Sequence, residues 1–527
     1  MRLTGIVFAL VAAAFLVACD SGTQDETGTP VPDLSGTGSA ADASGASNIL
    51  LLIGDDMGVE AMASFGVGTA PAETPYLDAL ARQGIRFTSV WSQPTCSPTR
   101  ATIMTGEYGF RNGVGAPTGG PGLDGPLPED PAIPEGVPTE YIEELTFART
   151  NTMPWSFARQ IQTGEVSRQQ ARRSGLPPEA ASIVASLKRM NPNYRAAAIG
   201  KWHLGETRNG WLEHPGNLGF DHYSVLPGNA TPSFFAWVEN VNGTAVPRTG
   251  YTPERKVEEA LSWIDQQEDA PWFLWFAFNL PHLPFFVPEA SGVTLDAPAD
   301  AVTASELPDS NRYFDLMVTE MDRMIGELLQ GLAPEVRENT VVIFVGDNGS
   351  APESIDPPFD ATRPKFTLYQ GGISVPLIIS GPGIAEGGEV SALVNTTDLF
   401  ATILELASGE PLDASENPSG DSVSLVPYLS DISHAPIRRF SYADKFVSNL
   451  GINYGDFAIR DARYKLISST ARQEFFDLQA DPYETEDLIA AGARLDADAQ
   501  SAYDSLLSQA RALHGSTNAV TPVPALE

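Results

Sequence analysis

Two apolar runs in this chain stop in the same way. Asn48-Ile49-Leu50-Leu51-Leu52-Ile53 ends in Gly54-Asp55-Asp56, and Val341-Val342-Ile343-Phe344-Val345 ends in Gly346-Asp347-Asn348. Asp55, Asp56, Asp347 and Asn348 offer only oxygen, and three of the four are anionic. That set suits a hard cation such as Ca2+ or Mg2+ and not zinc, which favours histidine or thiolate. A single pair of adjacent aspartates reads as an ordinary turn; two strands with this ending point to one shared site.

A second chemical stretch is Cys96-Ser97-Pro98-Thr99-Arg100, continuing through Ala101-Thr102-Ile103-Met104-Thr105-Gly106. Pro98 suits the first helical position and Ser97 the N-cap, which puts Cys96 just outside a helix mouth. Unpaired N–H groups and the positive helix end there are expected to lower the thiol pKa and to stabilise a bound anion. A buried structural cysteine is the alternative. Of the six histidines, His203 and His282 follow strand-like runs and sit in small-residue or proline frames. His214, His222, His434 and His514 read as surface or satisfied interior residues.

The elements that must position these groups are legible from periodicity. Five consecutive apolar residues before Gly54 make a central parallel strand with a site at its carboxyl end. Thr74 to Gly84 reads as a helix capped at Thr74 with Pro75 at its first position, and Ile85 to Val90 as a strand leading back toward Cys96. Glu179 to Met190 reads as a helix and Tyr194 to Ile199 as a strand, followed by a helix at Val257 to Gln266 and a buried strand at Trp272 to Phe278. Phe314, Met317, Val318, Met321, Ile325 and Leu328 form the apolar stripe of a helix over Asn311 to Leu329. A strand at Pro376 to Ser380 and a helix at Asp398 to Ser408 follow. From about residue 437 the texture changes to short alternating strands at Ala458 to Asp461, Tyr464 to Ser468 and Glu474 to Asp477, with a closing helix over 496–513. The segment 113–131 is rich in Gly and Pro, and 132–178 reads as an insertion near the site. The expected fold is α/β: a large mixed, mostly parallel sheet sandwiched by helices, with a smaller C-terminal antiparallel sheet plus helix.

The chain has 527 residues, 32 basic against 67 acidic, for a formal net charge of -35. Such a surface repels nucleic acid and anionic lipid heads, so no nucleic-acid partner is expected, and basic residues near a site carry added information. Met1-Arg2-Leu3 precedes an apolar run from Ile6 to Ala18 that is too short to span a bilayer, which needs about 20 residues. Leu16-Val17-Ala18-Cys19 looks like a bacterial lipobox, whose cysteine is lipidated; a plain export signal is the alternative. This divides the chain into a lipoprotein signal peptide (1–18), a flexible tether (19–46), a catalytic domain (47–436) and a C-terminal subdomain (437–527), on an exported protein that is membrane-anchored in the periplasm or at the cell surface.

Cys-x-Pro-x-Arg followed by Thr-Gly resembles the signature of the type I sulfatases, the formylglycine-dependent members of the alkaline-phosphatase-like superfamily. Gly200-Lys201-Trp202-His203-Leu204-Gly205 is similar to their second signature, Pro281-His282-Leu283-Pro284 to a loop with another active-site histidine, and Lys365 before Gln370-Gly371-Gly372 to their second active-site lysine. The likeness runs in order over most of residues 47 to 488, including Asp477-Leu478-Gln479-Ala480-Asp481-Pro482. It implies an alkaline-phosphatase-like fold and one divalent cation, usually calcium, on Asp55, Asp56, Asp347 and Asn348. It also implies Cys96 converted to formylglycine by a formylglycine-generating enzyme, and hydrolysis of a sulfated small molecule or carbohydrate.

By the same resemblance, Arg100 anchors residue 96, Lys201, His203, His282 and Lys365 surround the sulfate, His282 and Lys365 assist the leaving alcohol, and His203 assists release of sulfate. Gln370 and Ser374 depart from the glutamate and arginine usual there. A phosphonate monoester or phosphodiester hydrolase with the same formylglycine is the alternative enzyme, and a metal-dependent binding protein of this fold the non-enzymatic one. With Cys19 lipidated and Cys96 modified, no cysteine remains for a disulfide.

Overall fold

A computed structural model describes residues 48–118, 175–205, 209–226, 233–288, 310–413, 419–446, 456–469 and 472–515, with a few single residues between them. The expected signal peptide and tether lie outside the described residues, as do 119–131 and all but the last residues of the expected insertion.

Among the described residues, ten strands form one main sheet. In chain order they are β1 (Asn48–Gly54), β2 (Gly84–Phe87), β4 (Arg195–Lys201), β5 (His222–Leu226), β6 (Ala236–Val241), β7 (Thr244–Thr249), β8 (Trp272–Ala277), β9 (Thr340–Gly346), β10 (Leu377–Ser380) and β11 (Gly388–Val390). They lie in the order β11-β2-β10-β9-β1-β8-β4-β5-β6-β7. The centre, β9-β1-β8-β4-β5, is parallel throughout, while β10, β6 and β7 run antiparallel to their neighbours. The predicted strand Ile85 to Val90 divides: β2 stays in the main sheet, and β3 (Val90–Trp91) leaves it to pair with β12 (Val394–Asn395).

The unbroken apolar runs follow from burial on both faces. Ile49, Leu51 and Ile53 pack on one face with the helices Cys96–Thr105, Ile183–Met190 and Asp398–Ser408. Leu50 and Leu52 pack on the other with Pro75–Gln83, Thr252–Asp265 and Ser310–Gly331, whose six predicted stripe residues are all buried. Two helices start elsewhere than expected. Ile183–Met190 is capped by Ser182, whose Oγ accepts the Ala185 N–H at 3.0 Å, not begun at Glu179. Thr252–Asp265 begins five residues before Val257, with Pro253 in its first turn.

Pro75 opens its helix as predicted, but the Thr74 hydroxyl turns to Asp78 instead of capping. The orphan N–H groups of Tyr76 and Leu77 are taken by Asp322 of Ser310–Gly331, at 3.0 and 2.7 Å. Alanine at 322 strands both donors in the interior, so Asp322→Ala is expected to cost about 2 kcal/mol, read as a lowered urea midpoint with unchanged slope.

Strands β13 (Ser441–Lys445), β14 (Asp456–Arg460), β15 (Tyr464–Ser468) and β16 (Gln473–Asp477) make the predicted small antiparallel sheet, with the helix Ala497–Gly515 against it. It shares a hydrophobic cluster with Trp91, Leu368 and Ile373 of the larger part. Asn395 and the Tyr442 backbone exchange two hydrogen bonds, at 2.9 and 3.0 Å. No helix among the described residues is long and apolar enough to cross a membrane.

Candidate active site

The carboxyl ends of four adjacent strands, β9, β1, β8 and β4, carry the chemistry. Gly54 and Gly346 are register partners, so Asp55-Asp56 and Asp347-Asn348 leave the sheet side by side. The Asp56 N–H donates to Asp347 Oδ1 at 3.0 Å, which fixes one loop on the other. Lys201 ends β4, with His203 just beyond it, and His282 follows β8.

Gly200 lets β4 approach β8 this closely. Its φ is +95°, and a Cβ there would lie 1.9 Å from the Ala277 carbonyl oxygen. A side chain therefore meets both a left-handed backbone and a fixed main-chain atom. Gly200→Ala is expected to cost at least about 3 kcal/mol and to appear as lost soluble yield and a lowered unfolding midpoint.

Asp55, Asp56, Cys96 and His282 each offer an atom to a group lying within 4.8 Å of one another, all four buried. Lys201 Nζ lies 2.8 and 2.6 Å from the two Asp55 oxygens and 3.6 Å from Cys96 Sγ. Asp56 Oδ1 receives Lys365 Nζ, the Asn348 amide at 2.9 Å and the Cys96 thiol at 3.7 Å, while His282 Nε2 stands 3.6 Å from Asp56 Oδ2. Arg100 donates from Nε and Nη2 to Asp347 Oδ2, at 3.0 and 2.8 Å, and from Nη1 to the Lys201 carbonyl at 2.9 Å. Three carboxylates and three cations are thus shut in together.

The oxygen set fits a divalent cation on an observation independent of the motif. Asn348 Oδ1 is buried with no hydrogen-bond partner, while the nitrogen of the same amide donates to Asp56 Oδ1 at 2.9 Å. An orphaned buried carbonyl next to paired carboxylates is what a hard ion completes. Asp347 is engaged at both oxygens, by Arg100 and by the Asp56 N–H.

Two expectations at Cys96 are corrected. The helix runs Cys96–Thr105 with Thr95 at the N-cap, so Cys96 is its first residue, and Ser97 instead accepts the Thr118 N–H at 3.0 Å. The thiol pKa is raised, not lowered: burial removes the thiolate from water and Asp347 repels it, and the pull of Lys201 and Lys365 does not offset the sum. As a plain thiol this residue is a poor nucleophile.

The site histidines are held neutral. Burial, with Lys201 and Arg100, drives His203 well below its ordinary range. Burial and Lys201 bring His282 down to about 3 against the pull of Asp56. His203 Nε2 faces the Thr118 carbonyl at 3.3 Å and its Nδ1 is without a partner, while His282 Nδ1 meets the Leu283 carbonyl at 2.6 Å. For Asp56, burial pushes the carboxyl up, but Lys365, His282 and Lys201 outweigh it and hold it below the carboxylate range. Burial raises Asp55 to about 7 against the attraction of Lys201.

The remaining histidines lie elsewhere. His214 is a satisfied interior residue between Trp202 Nε1 and the Leu176 carbonyl, His222 pairs with Glu259, His434 is exposed, and His514 meets the Tyr442 hydroxyl. Gln370 accepts the Trp91 indole N–H, so this departure from the motif serves the scaffold, whereas the Ser374 carbonyl accepts the Val59 N–H through the backbone, a bond any residue there would make. Thr118, which orients His203 and ties down Ser97, carried no signal in a Gly/Pro-rich stretch without periodicity. Ser350 is a similar case: its Oγ takes the Gly58 N–H and its carbonyl the Lys365 N–H.

This constellation is shared with known proteins. A family model described as Sulfatase matches residues 47–137 and 148–409, and one described as N-sulphoglucosamine sulphohydrolase, C-terminal, matches 362–509. N-acetylgalactosamine-6-sulfatase of Canis lupus familiaris is 30% identical over 398 residues, covering 71% of this chain and 64% of the relative, so the chain spans just under two thirds of that protein. An arylsulfatase of Hemicentrotus pulcherrimus is 25% identical over 452 residues, covering 81% of this chain and 68% of the relative. The crystal structure of Ps i-CgsB in complex with k-i-k-neocarrahexaose shares the fold, with a TM-score of 0.66 at 22% identity, covering 90% of this chain and 94% of that one. With Cys96, Asp55, Asp56 and His282 in one buried cluster, and the family model spanning most of the chain, this protein belongs to the sulfatase family, in its formylglycine-dependent type I branch with the alkaline-phosphatase-like fold.

Proposed function

We propose that this protein hydrolyses a sulfate ester to an alcohol and inorganic sulfate, with a sulfated carbohydrate as substrate and residues 47–436 as the catalytic domain. The observation that carries the reading is the approach of Cys96 to Asp55, Asp56 and His282 within 4.8 Å, inside a ring of Arg100, Lys201 and Lys365. Three carboxylates balance three cations there, so a divalent ion leaves the pocket two positive charges in excess on a protein of net -35. Such a pocket attracts the anionic group of an ester toward residue 96. Relatives named N-acetylgalactosamine-6-sulfatase and ulvan-active sulfatase support the carbohydrate class.

In this reading Asp55, Asp56, Asp347 and Asn348 would hold one divalent cation, calcium with magnesium as the alternative, which when bound would supply Lewis-acid polarisation of the sulfate. Oxidised to formylglycine by a formylglycine-generating enzyme and hydrated, residue 96 supplies one hydroxyl to attack sulfur and a second whose collapse to the aldehyde releases sulfate. Lys201, 3.6 Å from the residue 96 side chain, stabilises charge developing there, and Arg100 keeps Asp347 and the Lys201 carbonyl in place. Lys365 supplies the proton to the departing alcohol oxygen, and neutral His282, whose Nδ1–H is gripped by the Leu283 carbonyl, stands beside it with Nε2 as an acceptor. His203 has Nδ1 free to take a proton from the hydroxyl that collapses.

The test is release of inorganic sulfate or phosphate from a panel of aryl and sugar esters by protein coexpressed with the maturation enzyme. Sulfate release from sugar sulfates is expected; phosphonate or phosphodiester turnover at a higher kcat/KM than every sulfate overturns the reading, and stoichiometric zinc by elemental analysis overturns the metal assignment. We further propose that Cys19 carries a lipid anchor that holds the exported enzyme at a bacterial membrane, in the periplasm or at the cell surface. Cys19→Ser is expected to move it from the membrane to the soluble fraction, and retention of that variant on membranes contradicts the anchor.

A further inference from the structure

Seven non-glycine residues among those described have positive φ, and three of them, Asp56, His203 and Phe366, stand in the loops of the site. The first two have chemical roles in the proposed reaction. Phe366 has none, yet it holds φ at +76°, a left-handed conformation that costs about 1–2 kcal/mol for a residue with a Cβ. Its ring is 37% exposed, and only one other large hydrophobic side chain among the described residues, Ile432, is as open. Strain and exposure together in one aromatic residue stabilise nothing in the fold, so they point to contact with something outside it.

The position of Phe366 says what that is. It follows Lys365, whose Nζ lies 5.2 Å from the ring centroid and bonds Asp56, and its N–H donates to the carbonyl of Pro94, two residues before Cys96, at 2.8 Å. The ring therefore borders the sulfate pocket. From the C-terminal sheet, Lys445 at the end of β13 reaches over and donates from Nζ to the Phe366 carbonyl at 2.7 Å. No carboxylate lies within ion-pair range of this ammonium among the described residues; Asp456 faces it across the β13–β14 pairing. The next residue, Phe446, donates its N–H to the Gly115 carbonyl at 3.1 Å, which ties Lys445 to the segment whose Thr118 orients His203. On a chain with 67 acidic residues, a partly buried lysine at the edge of an anion pocket that bonds a carbonyl and feels Asp456 only beyond ion-pair distance keeps capacity for a further anion.

We propose that Phe366 and Lys445 form a saccharide subsite beside the sulfate pocket, the ring stacking on the sugar that bears the scissile sulfate and the ammonium binding a second anionic group on the same substrate. This rests on the sulfatase reading above and narrows its substrate class to polyanionic saccharides. The flat apolar ring matches the C–H face of a pyranose, and lysine's point charge accepts either a carboxylate or a sulfate.

The experiment uses the full-length, formylglycine-bearing protein and disaccharides with one scissile sulfate whose neighbouring sugar is neutral, carries a carboxylate, or carries a second sulfate, with a small alkyl sulfate as reference. Wild type is expected to favour one or both anionic members, which tells carboxylate from sulfate. Lys445→Gln is expected to reduce the ratio of kcat/KM for the favoured member to that for the neutral one by about tenfold, through KM. Lys445→Arg retains most of the ratio. Phe366→Gly, which removes the ring and relieves the backbone, is expected to raise KM for all disaccharides about fivefold relative to the alkyl sulfate. In wild type, KM for the favoured member climbs more steeply with salt than KM for the neutral one, a readout that needs no variant to fold. An unchanged ratio in Lys445→Gln, or equal salt slopes, overturns the subsite, whereas no turnover of any sulfate by wild type with residue 96 converted overturns the sulfatase reading itself.

Discussion

Cys96→Ala is expected to give a folded protein that still binds its metal and has no measurable sulfate-ester turnover, a loss of at least about 10^3-fold in kcat. Alanine is a good helix former at the first position of Cys96–Thr105, and the buried thiol stands 3.6 Å from Lys201 and 3.7 Å from Asp56, both long for hydrogen bonds. Stability should fall by no more than about 2 kcal/mol, the cost of a small void. None of Arg100, Lys201, Lys365 and the two histidines can replace a nucleophile, so what remains is a charged cage that binds anions without turning them over. The comparison that matters is kcat against metal content: activity lost with metal retained supports a nucleophile at position 96, while activity retained removes residue 96 from the chemistry.

The second large effect is expected at Asp347. Its carboxylate holds Arg100 through two hydrogen bonds, at 3.0 and 2.8 Å, and the Asp56 N–H at 3.0 Å. Arg100 is wholly buried, so Asp347→Ala leaves a guanidinium in the interior without its principal counterion. Breaking such a pair from one side costs about 3–5 kcal/mol. The same change loosens the Asp55-Asp56 loop and takes one oxygen from the cation site, so metal, activity and stability should fall together. Arg100→Met in the Asp347→Ala background is expected to restore part of the stability and none of the activity, because it removes the stranded charge without rebuilding the site. Chemical denaturation with elemental analysis of each variant checks this; equal stability of Asp347→Ala and wild type contradicts the central place given to the pair.

Why some of this could be read from sequence and some could not is a matter of range. A strand buried on both faces must be a continuous apolar run, so β1, β8 and β9 were visible, and carboxylates directly after two of them marked the sheet edge that binds ligands. Helices with a one-sided stripe, such as Ser310–Gly331, were equally plain. Local capping rules failed where a distant side chain did the capping, as Asp322 does for Pro75–Gln83 across 246 residues. The Cys96 thiol was misjudged for a related reason. The helix N-terminus was legible and favours the thiolate, but burial and the repulsion of Asp347, 251 positions along, are tertiary facts that win. Lys445 on Phe366 and Thr118 on His203 join segments 79 and 85 residues apart, with no local pattern to announce them.

Whether residue 96 in its oxidised form performs the hydrolysis is decided by preparing the protein with graded conversion of Cys96. The maturation enzyme is titrated during expression, the converted fraction is measured by peptide mass, and initial rates of sulfate release from one sugar or aryl sulfate are taken at saturating substrate. The expected rate per mole of protein rises in proportion to the converted fraction and extrapolates to zero for the plain cysteine, with metal content constant across the series. A rate independent of conversion, or full activity from protein whose residue 96 is entirely cysteine, would contradict it.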